Sequence, residues 1–356
     1  MLSNIDSIFF SLDFQEYDNN NQDLIKNLEL AKEQSKENKL NETIIDLAGK
    51  KFVILPNGAR FHAYILHNDS MELKIAHGRS ASLSNYPVSI RIKSLKLWED
   101  GFISAYEDII ETVKTIVKGE IIAEKISRAD MCVHVDNFKL DNLNDLYHSW
   151  RGTFRKVEHY FYNRKLNGIT FGTFQDKNVM CRIYDKSLEI KSSNKLWFKS
   201  IWTKAGMDTE NVWNIEYQIG RKYFKDRNIE TVTEFFVHMR GIWEELTTKF
   251  VSFIEQTDNN ISRCPLKPEW EQITKAYQTY YIKVPIKREK QLNKRSEALI
   301  PLLIGVLTSY GACNLNVNLD KLFQQIKTDT KEYLHDRKDN IPIEQIILDK
   351  IEYMYS

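Results

Sequence analysis

The sequence predicts an α+β fold, in which an antiparallel β-sheet core with flanking helices is followed by a small helical domain. Three segments in which polar and apolar residues alternate, Ile121–Asp136, Val179–Lys186 and Val212–Arg221, predict half-buried antiparallel strands. Beyond about residue 265 the apolar residues recur at helical spacing and the alternation stops. The segment Arg263–Pro268, which contains two prolines, is the best candidate for the linker between the two parts.

Local patterns predict the remaining elements. Residues 1–45 are rich in Asn, Lys, Glu and Gln and predict a helical extension, residues 46–262 the sheet domain, and residues 266–356 the helical domain. Further strands are predicted at Lys51–Leu55, Phe61–Leu66, Glu72–Ala76 and Val88–Leu97, and a hairpin across Asn163–Gly168. Helices are predicted at Asn21–Asn38, Asp100–Lys118, Leu143–Arg151, Thr231–Glu255, Pro268–Tyr281, Lys294–Tyr310, Asn318–Arg337 and Ile343–Tyr355.

A tyrosine lies between two cations in the second of the three strands. Because successive side chains of a strand point to opposite faces, Arg182, Tyr184 and Lys186 are expected to share one face. A phenol with a pKa of about 10 is a poor nucleophile near neutral pH, and neighbouring cations or a metal ion would stabilise its phenolate. The same cations could hold a phosphate. The alternative is an ordinary half-buried strand whose tyrosine packs in a core and whose cations face water.

Acidic and polar side chains share one face of the other two strands. Asp130, His134 and Asp136 alternate with apolar residues in the first strand, and Glu216 lies on the polar face of the third. If the polar faces lie together in one sheet, Asp130, His134 and Glu216 could bind a hard divalent cation near Tyr184. The alternative is a row of exposed charges on the solvated face of an antiparallel sheet.

The order of several short motifs resembles the Rep_trans family of replication initiators of rolling-circle plasmids and phages. Relaxases of certain integrative and conjugative elements belong to the same group. The resemblance spans about residues 86–240, and it implies a relaxase-like variant of the antiparallel fold, of the HUH type. The motifs are R-x-D at Arg128–Asp130, F-G-T at Phe171–Thr173, R-I-Y-D-K at Arg182–Lys186 and W-x-I-E-x-Q at Trp213–Gln218.

The resemblance implies a replication initiator that nicks origin DNA with Tyr184 as its nucleophile. The tyrosine would form a 5′-phosphotyrosyl link and leave a 3′-hydroxyl for a polymerase, and the link would preserve the bond energy for later rejoining. Arg182 and Lys186 would stabilise charge on the phosphoryl oxygens. A conjugative-element relaxase with the same chemistry stays open as an alternative, and so does a non-catalytic DNA-binding protein.

The resemblance also implies a metal-dependent enzyme, with Asp130 and Glu216 at the positions of the family's acidic ligands. His134 stands where a further acid is expected, four residues after Asp130, so His134 and Asp136 are both candidate third ligands. Oxygen ligands suit Mg²⁺ or Mn²⁺, and a histidine among them favours Mn²⁺. The four cysteines lack the spacing of a zinc site.

Local clusters of cations predict contacts with DNA. Residues 283–295 carry six Lys or Arg against one Glu, and residues 221–227 carry four, with aromatic residues within or beside both clusters. Interleaved rings and cations suit a groove that binds phosphates and stacks bases, and the alternative is a solvated helix face. The candidate DNA-binding residues are Arg128, Arg221, Lys222, Lys287 and Arg288.

Composition agrees with a cytoplasmic enzyme of two domains. The chain has 356 residues, a net charge of +1 and four cysteines without a pairing pattern, which suits a reducing compartment. No apolar stretch reaches the length of a membrane span, and the N-terminus lacks the pattern of a signal peptide. Because the net charge is close to zero, DNA binding would depend on where the cations are placed.

The expected partners follow from the proposed chemistry and from the resemblance. They are double-stranded origin DNA with a single-stranded or hairpin nick site, a host helicase, and a second copy of the chain. The C-terminal helices are expected either to recognise origin DNA or to contact a partner such as the helicase. A tyrosine recombinase is a rival from another class, but such enzymes carry the tyrosine late in the chain on a helix. Tyr184 lies in mid-chain on a predicted strand.

Overall fold

The computed structural model describes residues 1–37, 42–80, 85–136, 138, 149–174, 178–278, 292–335 and 342–348. Its contacts divide the chain into two compact units, Met1–Lys287 and Arg288–Ser356. The candidate site lies in the first unit.

Antiparallel strands form the body of the first unit. Within the described residues, eleven strands pair in one sheet in the order β2-β3-β4-β5-β6-β1-β7-β12-β11-β10-β9, and β8 pairs with β13 apart from it. The strands are β1 (Leu2–Phe14), β2 (Thr43–Leu47), β3 (Lys50–Ile54), β4 (Tyr64–His67), β5 (Met71–Ile75), β6 (Val88–Ile92), β7 (Ile121–Asp136), β8 (Trp150–Gly152), β9 (Val157–Tyr162), β10 (Lys165–Phe171), β11 (Val179–Asp185), β12 (Val212–Gly220) and β13 (Val251–Phe253).

Helices cover both faces of the sheet. In the first unit they are α1 (Tyr17–Asn20), α2 (Gln22–Glu37), α3 (Ser94–Asp100), α4 (Phe102–Ile116), α5 (Lys186–Ser192), α6 (Phe198–Lys204), α7 (Arg221–Lys225), α8 (Val232–Glu245) and α9 (Pro268–Thr274). The second unit contains α10 (Leu292–Cys313) and α11 (Leu319–His335). In the part of the chain that the structure describes, no helix combines the length and the apolar character that crossing a membrane requires.

The main core lies between the apolar face of the sheet and helices α4 and α8. Met131 of β7 and Tyr217 of β12 are opposite each other on that face, and both are fully buried. The ring of Tyr217 packs edge-on against Trp243 of α8, with 5.3 Å between the ring centroids. Burying this face leaves the alternate residues of the same strands on the other face, where the candidate site lies.

A second, smaller apolar cluster covers one part of that other face. Trp98 of α3 and Phe198 and Trp202 of α6 pack there against Cys132 of β7. The part of the face beside this cluster stays open and carries the polar side chains.

The predicted fold class is confirmed. The structure has a large antiparallel sheet with flanking helices, and the strand at Ile121–Asp136 has the predicted bounds. Two predicted elements are wrong in part. The strand at Val88–Leu97 ends at Ile92 and gives way to α3. The helix at Thr231–Glu255 becomes a π-helical turn after Glu245 and then β13. The predicted helix Leu143–Arg151 lies largely outside the described residues.

The N-terminal segment differs from the predicted helical extension. Residues 2–14 form β1, which pairs with β6 and β7 in the middle of the sheet. Ile8, Phe10 and Leu12 are fully buried, and their spacing of two residues is typical of a strand. The predicted helix at Asn21–Asn38 is found as α2, and the short helix α1 precedes it.

The division between the two units also differs from the predicted linker at Arg263–Pro268. Helix α9 follows that segment, and Trp270 and Ile273 of α9 are buried in the main core. The Tyr277 hydroxyl donates a hydrogen bond to the carbonyl of Cys132 at 3.1 Å. These contacts attach residues 268–277 to the sheet, because the large apolar side chains are removed from water there and the buried hydroxyl has a hydrogen-bond partner.

Candidate active site

The polar face of strands β1, β7, β12, β11 and β10 lines an open cavity of about 590 Å³. Its lining contains five cations and four acids, together with two tyrosines. Strand pairing brings these side chains together, because directly opposed residues of antiparallel strands have their Cβ atoms about 4.5–5.5 Å apart. The charged residues and tyrosines that line it are Arg91, Arg128, Arg182, Lys186, Lys195, Asp6, Asp130, Glu189, Glu216, Tyr160 and Tyr184.

The hydroxyl of Tyr184 is the centre of a hydrogen-bond network. It accepts a bond from Asn214 Nδ2 at 2.8 Å and donates one to Glu216 Oε2 at 3.1 Å. Lys186 Nζ lies 3.4 Å away. Asn214 is directly opposite Tyr184 on β12, so the strand register fixes this contact.

Burial raises the pKa of Tyr184 well above 10, and the nearby carboxylates of Glu216 and Asp6 raise it further, against the opposing effect of Arg182. This direction is opposite to the one expected from the two flanking cations. The lowering effect of Arg182 is outweighed, because burial and the acidic partners of both cations, Glu216 and Glu189, raise the pKa of the phenol. Tyr184 is therefore a protonated phenol in this arrangement, and its proton points to a carboxylate.

Glu216 is buried and accepts hydrogen bonds from four side chains. Besides Tyr184, Asn214 Nδ2 donates to Oε2 at 3.1 Å, Gln218 Nε2 donates to Oε1 at 3.2 Å, and Arg182 forms an ion pair with Oε1. Burial lowers the pKa of Arg182, but Glu216, Tyr184 and Asp130 together raise it by more, so the guanidinium stays charged. A carboxylate held by so many donors has a fixed position.

Asp130 is the second buried carboxylate of the cavity. Arg128 binds it through two hydrogen bonds, Nε to Oδ1 at 2.7 Å and Nη2 to Oδ2 at 2.8 Å. The hydroxyl of Ser7 donates to Oδ2 at 2.8 Å. Burial, with a smaller contribution from Glu216, raises the pKa of Asp130 to about 6, and Arg128 opposes this shift.

We expect Asp130→Asn to change how stability depends on pH. Because the pKa of Asp130 is raised from 3.8 to about 6 on folding, the folded state binds the proton more tightly, and the stability that this contributes below pH 4 is lost as the pH rises through 6. Relative to the variant, the wild type should therefore lose about 3 kcal/mol of unfolding free energy between pH 4 and pH 7. Urea unfolding of both proteins at four pH values measures this. If the wild type instead gains stability relative to the variant as the pH rises, Arg128 outweighs burial and the pKa of Asp130 is lowered.

Asp6 enters the cavity from a β-bulge in β1. The pairing with β7 shifts between Ile5 and Ser7, which leaves Asp6 as the extra residue. A bulge turns side chains out of the usual alternation, and both Asp6 and Ser7 line the cavity. Asp6 accepts a hydrogen bond from the Ser94 hydroxyl at 2.7 Å.

Lys186 is a nearly fully buried cation between acidic groups. Its Nζ lies 2.7 Å from Glu189 Oε2. Burial lowers the pKa of Lys186, but Asp6 and Glu189 raise it by more, and the net shift is upward. Burial likewise raises the pKa of Asp6, yet Lys186 and Lys195 bring it below its usual value. The two groups therefore stay ionised together at neutral pH.

His134 and Asp136 lie outside the cavity. His134 is fully buried among rings, stacked on Trp98 with 4.6 Å between centroids, and its Nδ1 accepts a hydrogen bond from Trp202 Nε1 at 3.0 Å. Burial holds the pKa of His134 well below 6.5, so the ring is neutral. Asp136 lies 3.8 Å from the N-terminal ammonium and accepts a hydrogen bond from the Asp208 amide.

The predicted DNA-binding cations are scattered. Arg128 lines the cavity, whereas Arg221 donates to the carbonyls of Ile126 and Ile229 and pairs with Glu230. Lys222 pairs with Asp226 at 2.6 Å on the surface. Lys287 and Arg288 lie outside the described residues.

The arrangement of the carboxylates does not fit a divalent cation. Among the residues that the structure describes, no three His, Cys, Asp or Glu side chains are placed to hold a metal ion. Asp130 and Glu216 already bind Arg128 and Arg182, and a cation would have to displace these guanidinium groups. The cationic side chains that line the cavity are those of three arginines, Lys186 and Lys195.

Sequence reasoning missed several polar residues that line the cavity, among them Asp6, Ser7, Arg91, Tyr160, Glu189 and Lys195. The β-bulge places Asp6 and Ser7 in the lining against the regular alternation of a strand. Arg91 and Tyr160 lie on strands whose sequences contain none of the motifs that pointed to the site. A signal was present for the first pair, because two adjacent polar residues interrupt the alternation of β1. No comparable signal marked Arg91 or Tyr160.

Comparison with known proteins finds similarity at the level of structure. No known protein-family profile matches the chain, and no curated protein matches it. Among solved structures, a rolling circle replication initiator protein from Geobacillus stearothermophilus is similar, with a TM-score of 0.41 and 13% sequence identity. The matched region covers 77% of this chain and 95% of that chain. A likeness of this size assigns neither family nor activity, so the functional argument rests on the site.

Proposed function

We propose that this protein is a DNA nicking-joining enzyme with Tyr184 as its nucleophile, and that it acts as an initiator of rolling-circle replication. The contact that carries the proposal is the hydrogen bond from the Tyr184 hydroxyl to the buried carboxylate of Glu216. Arg182 and Lys186 line the same cavity on either side of the tyrosine. A nucleophile, a base within reach and two cations for the phosphate are the groups that phosphodiester cleavage by a tyrosine requires.

The chemical step follows from these contacts. Glu216 accepts the phenol proton as the Tyr184 oxygen attacks the phosphorus atom of a DNA phosphodiester. The bond from phosphorus to the 3′-oxygen breaks, and that oxygen leaves with the electron pair and takes a proton from water. The products are a 5′-phosphotyrosyl ester and a free 3′-hydroxyl, and the reverse reaction rejoins the strand.

Proton transfer also changes the partners of Arg182. Once Glu216 is protonated, its attraction for the guanidinium is lost, and Arg182 is available to a negatively charged phosphoryl oxygen. Lys186 Nζ, 3.4 Å from the Tyr184 oxygen, is placed to stabilise the same charge. The buried position of Lys186 strengthens its effect, since charges interact more strongly away from water.

The role in replication rests on the motifs, because a conjugative-element relaxase would carry out the same chemistry. Origin DNA with a single-stranded or hairpin nick site is the proposed substrate. A helicase and a second copy of the chain are the proposed partners.

A nicking assay tests the proposal and the predicted need for Mg²⁺ or Mn²⁺. The protein is incubated with supercoiled plasmid and with hairpin oligonucleotides in EDTA, and then with excess Mg²⁺ or Mn²⁺. We expect a nicked product and a covalent protein–DNA adduct. Cutting that occurs only with the cation would mean that DNA completes a metal site which the described carboxylates do not form alone. Cutting in EDTA would assign charge stabilisation to Arg182 and Lys186. Absence of an adduct under every condition would overturn the proposal.

A further inference from the structure

Three consecutive aromatic residues are exposed on β9, the strand at the edge of the sheet next to the cavity. Tyr160, Phe161 and Tyr162 are 49%, 53% and 54% exposed. Large aromatic side chains usually lie inside a protein, and a contiguous exposed group of them marks an interaction surface. Tyr160 also lines the cavity that contains Tyr184.

The strand register places Tyr160 and Tyr184 on either side of a glycine. Gly168 of β10 is directly opposite Tyr160 on one side and Tyr184 on the other. Neighbouring strands are about 4.8 Å apart, so the two tyrosine strands are separated by about 10 Å. A Cβ atom at Gly168 would lie 3.3 Å from Cβ of Tyr184 and 3.7 Å from Cβ of Tyr160. The missing side chain leaves a gap between the two tyrosines on the cavity face.

The ring of Tyr160 is held in place although it is exposed. Its hydroxyl donates a hydrogen bond to Glu158 Oε2 at 3.0 Å, and Glu158 pairs with Lys156 at 2.5 Å. A ring that is already fixed loses little conformational entropy when a ligand stacks on it. Tyr162, two residues along the strand, lies on the same face, whereas Phe161 lies on the opposite face.

Cations lie at the turn of the same hairpin. Asn163 and Arg164 have φ angles of 48° and 64°, which form the tight turn between β9 and β10. Arg164 and Lys165 are exposed, and in the described part of the chain neither pairs with an acid. Lys165 is directly opposite Tyr162. The hairpin therefore presents aromatic rings and positive charge side by side. This surface is complementary to a polyanion that also carries planar groups, since the cations can bind its charges and the rings can stack on its planar groups.

We propose that Tyr160 and Tyr162 form a stacking surface for unpaired bases of single-stranded DNA, next to the phosphate that Tyr184 attacks. Bases of a duplex are already stacked on each other, so only an unpaired strand can use exposed rings in this way. Arg164 and Lys165 bind the backbone of the same strand. The location beside Tyr184 rests on the proposed function, whereas binding to single-stranded DNA is measured without cleavage.

Binding measurements with two oligonucleotides separate stacking from charge. The probes are a fluorescent 20-nucleotide oligothymidine and an abasic strand of the same length and charge, followed by fluorescence anisotropy. We expect the wild type to bind the oligothymidine at least about tenfold more tightly, the effect of one stacked base. Tyr160→Ala should remove most of this preference and Tyr160→Phe should keep it, because the ring and not the hydroxyl carries the stacking.

Phe161→Ala is the matched control, since Phe161 is equally exposed on the same strand but on the other face. It should keep the preference for bases. Circular dichroism checks that every variant is folded. The inference is overturned if the wild type binds both strands equally, if the Tyr160→Ala, Tyr162→Ala double variant keeps the preference, or if an oligouridine RNA binds more tightly than the DNA. The tyrosine substitutions could instead leave the preference for bases unchanged and abolish self-association in sedimentation experiments. That result would also overturn the inference, and it would assign the hairpin to contacts between copies of the chain.

The two proposals fail in different ways. If stacking is found but no adduct forms, the surface binds single-stranded DNA and the nicking proposal is wrong. If the adduct forms but the base preference does not depend on the tyrosines, the nicking proposal stands and this inference is wrong.

Discussion

Replacing Tyr184 with phenylalanine should abolish the covalent protein–DNA adduct and leave the affinity for single-stranded DNA nearly unchanged. The variant lacks the oxygen that attacks phosphorus, but it keeps the ring. Its neighbours also keep partners, because Asn214 Nδ2 donates to Glu216 Oε2 at 3.1 Å independently of the tyrosine. We therefore expect only about 1 kcal/mol of lost stability, the usual contribution of one hydrogen bond.

The adduct is best detected with an oligonucleotide labelled at its 3′ end. Because the proposed link joins Tyr184 to the 5′-phosphate, the labelled fragment should migrate with the protein on a denaturing gel. Tyr160→Phe is the matched control, since Tyr160 lines the same cavity and loses the same atom. It should form the adduct normally. An equal yield of adduct from Tyr184→Phe would remove this residue from the mechanism.

Replacing Glu216 with glutamine should slow DNA cutting by about 10²- to 10⁴-fold at neutral pH, the usual contribution of a positioned general base. Glutamine has nearly the same shape but does not take up the phenol proton. The loss should shrink as the pH rises, because hydroxide can then remove the proton. The substitution also removes a negative charge that raises the pKa of Tyr184, which adds to this recovery.

A pH–rate profile of the adduct-forming step provides the measurement. Glu189→Gln is the control, because Glu189 lines the same cavity and pairs with Lys186 without contacting the phenol. Its effect should be smaller and nearly independent of pH. A Glu216→Gln enzyme with the wild-type rate at pH 7 would show that another group removes the proton.

The strand alternation was a reliable guide to part of the site. Arg182, Tyr184 and Lys186 were predicted to share one face, and all three line one cavity together with Asp130 and Glu216. For Arg182 and Tyr184 this succeeded because the alternation of side chains is a property of the strand backbone and needs no knowledge of neighbours. The predicted strand to Lys186 is wrong at its end, since β11 ends at Asp185 and Lys186 is the first residue of α5. The burial of one face by α4 and α8 then leaves the other face to polar residues.

The same alternation could not place His134. It shares the polar face of β7, but α3 and α6 cover that part of the face with Trp98 and Trp202. Which part of a sheet face a helix covers depends on contacts between distant segments, and a periodic pattern within one strand does not contain that information. The assignment of His134 as a metal ligand thus stays a sequence-based prediction, without support from its position.

Protonation states also depended on tertiary contacts. The two cations beside Tyr184 were expected to favour the phenolate, but Glu216 and Glu189 pair with them, and burial raises the pKa of the phenol. Neither the ion pairs nor the degree of burial can be read from the strand itself, because Glu216 comes from the distant strand β12 and Glu189 from the helix that follows β11.

By itself, the sequence determined the antiparallel sheet and the common face of Arg182 and Tyr184, because both follow from the period of a strand. The tertiary structure decided which polar residues meet at the cavity. A bulge in β1 places Asp6 in the cavity lining, and strand pairing across Gly168 places Tyr160 there. The packing of helices on the sheet covers His134 and separates it from the cavity. These outcomes depend on register, local irregularity and the packing of segments far apart in the chain, which set distances and burial and therefore the chemistry that each side chain can perform.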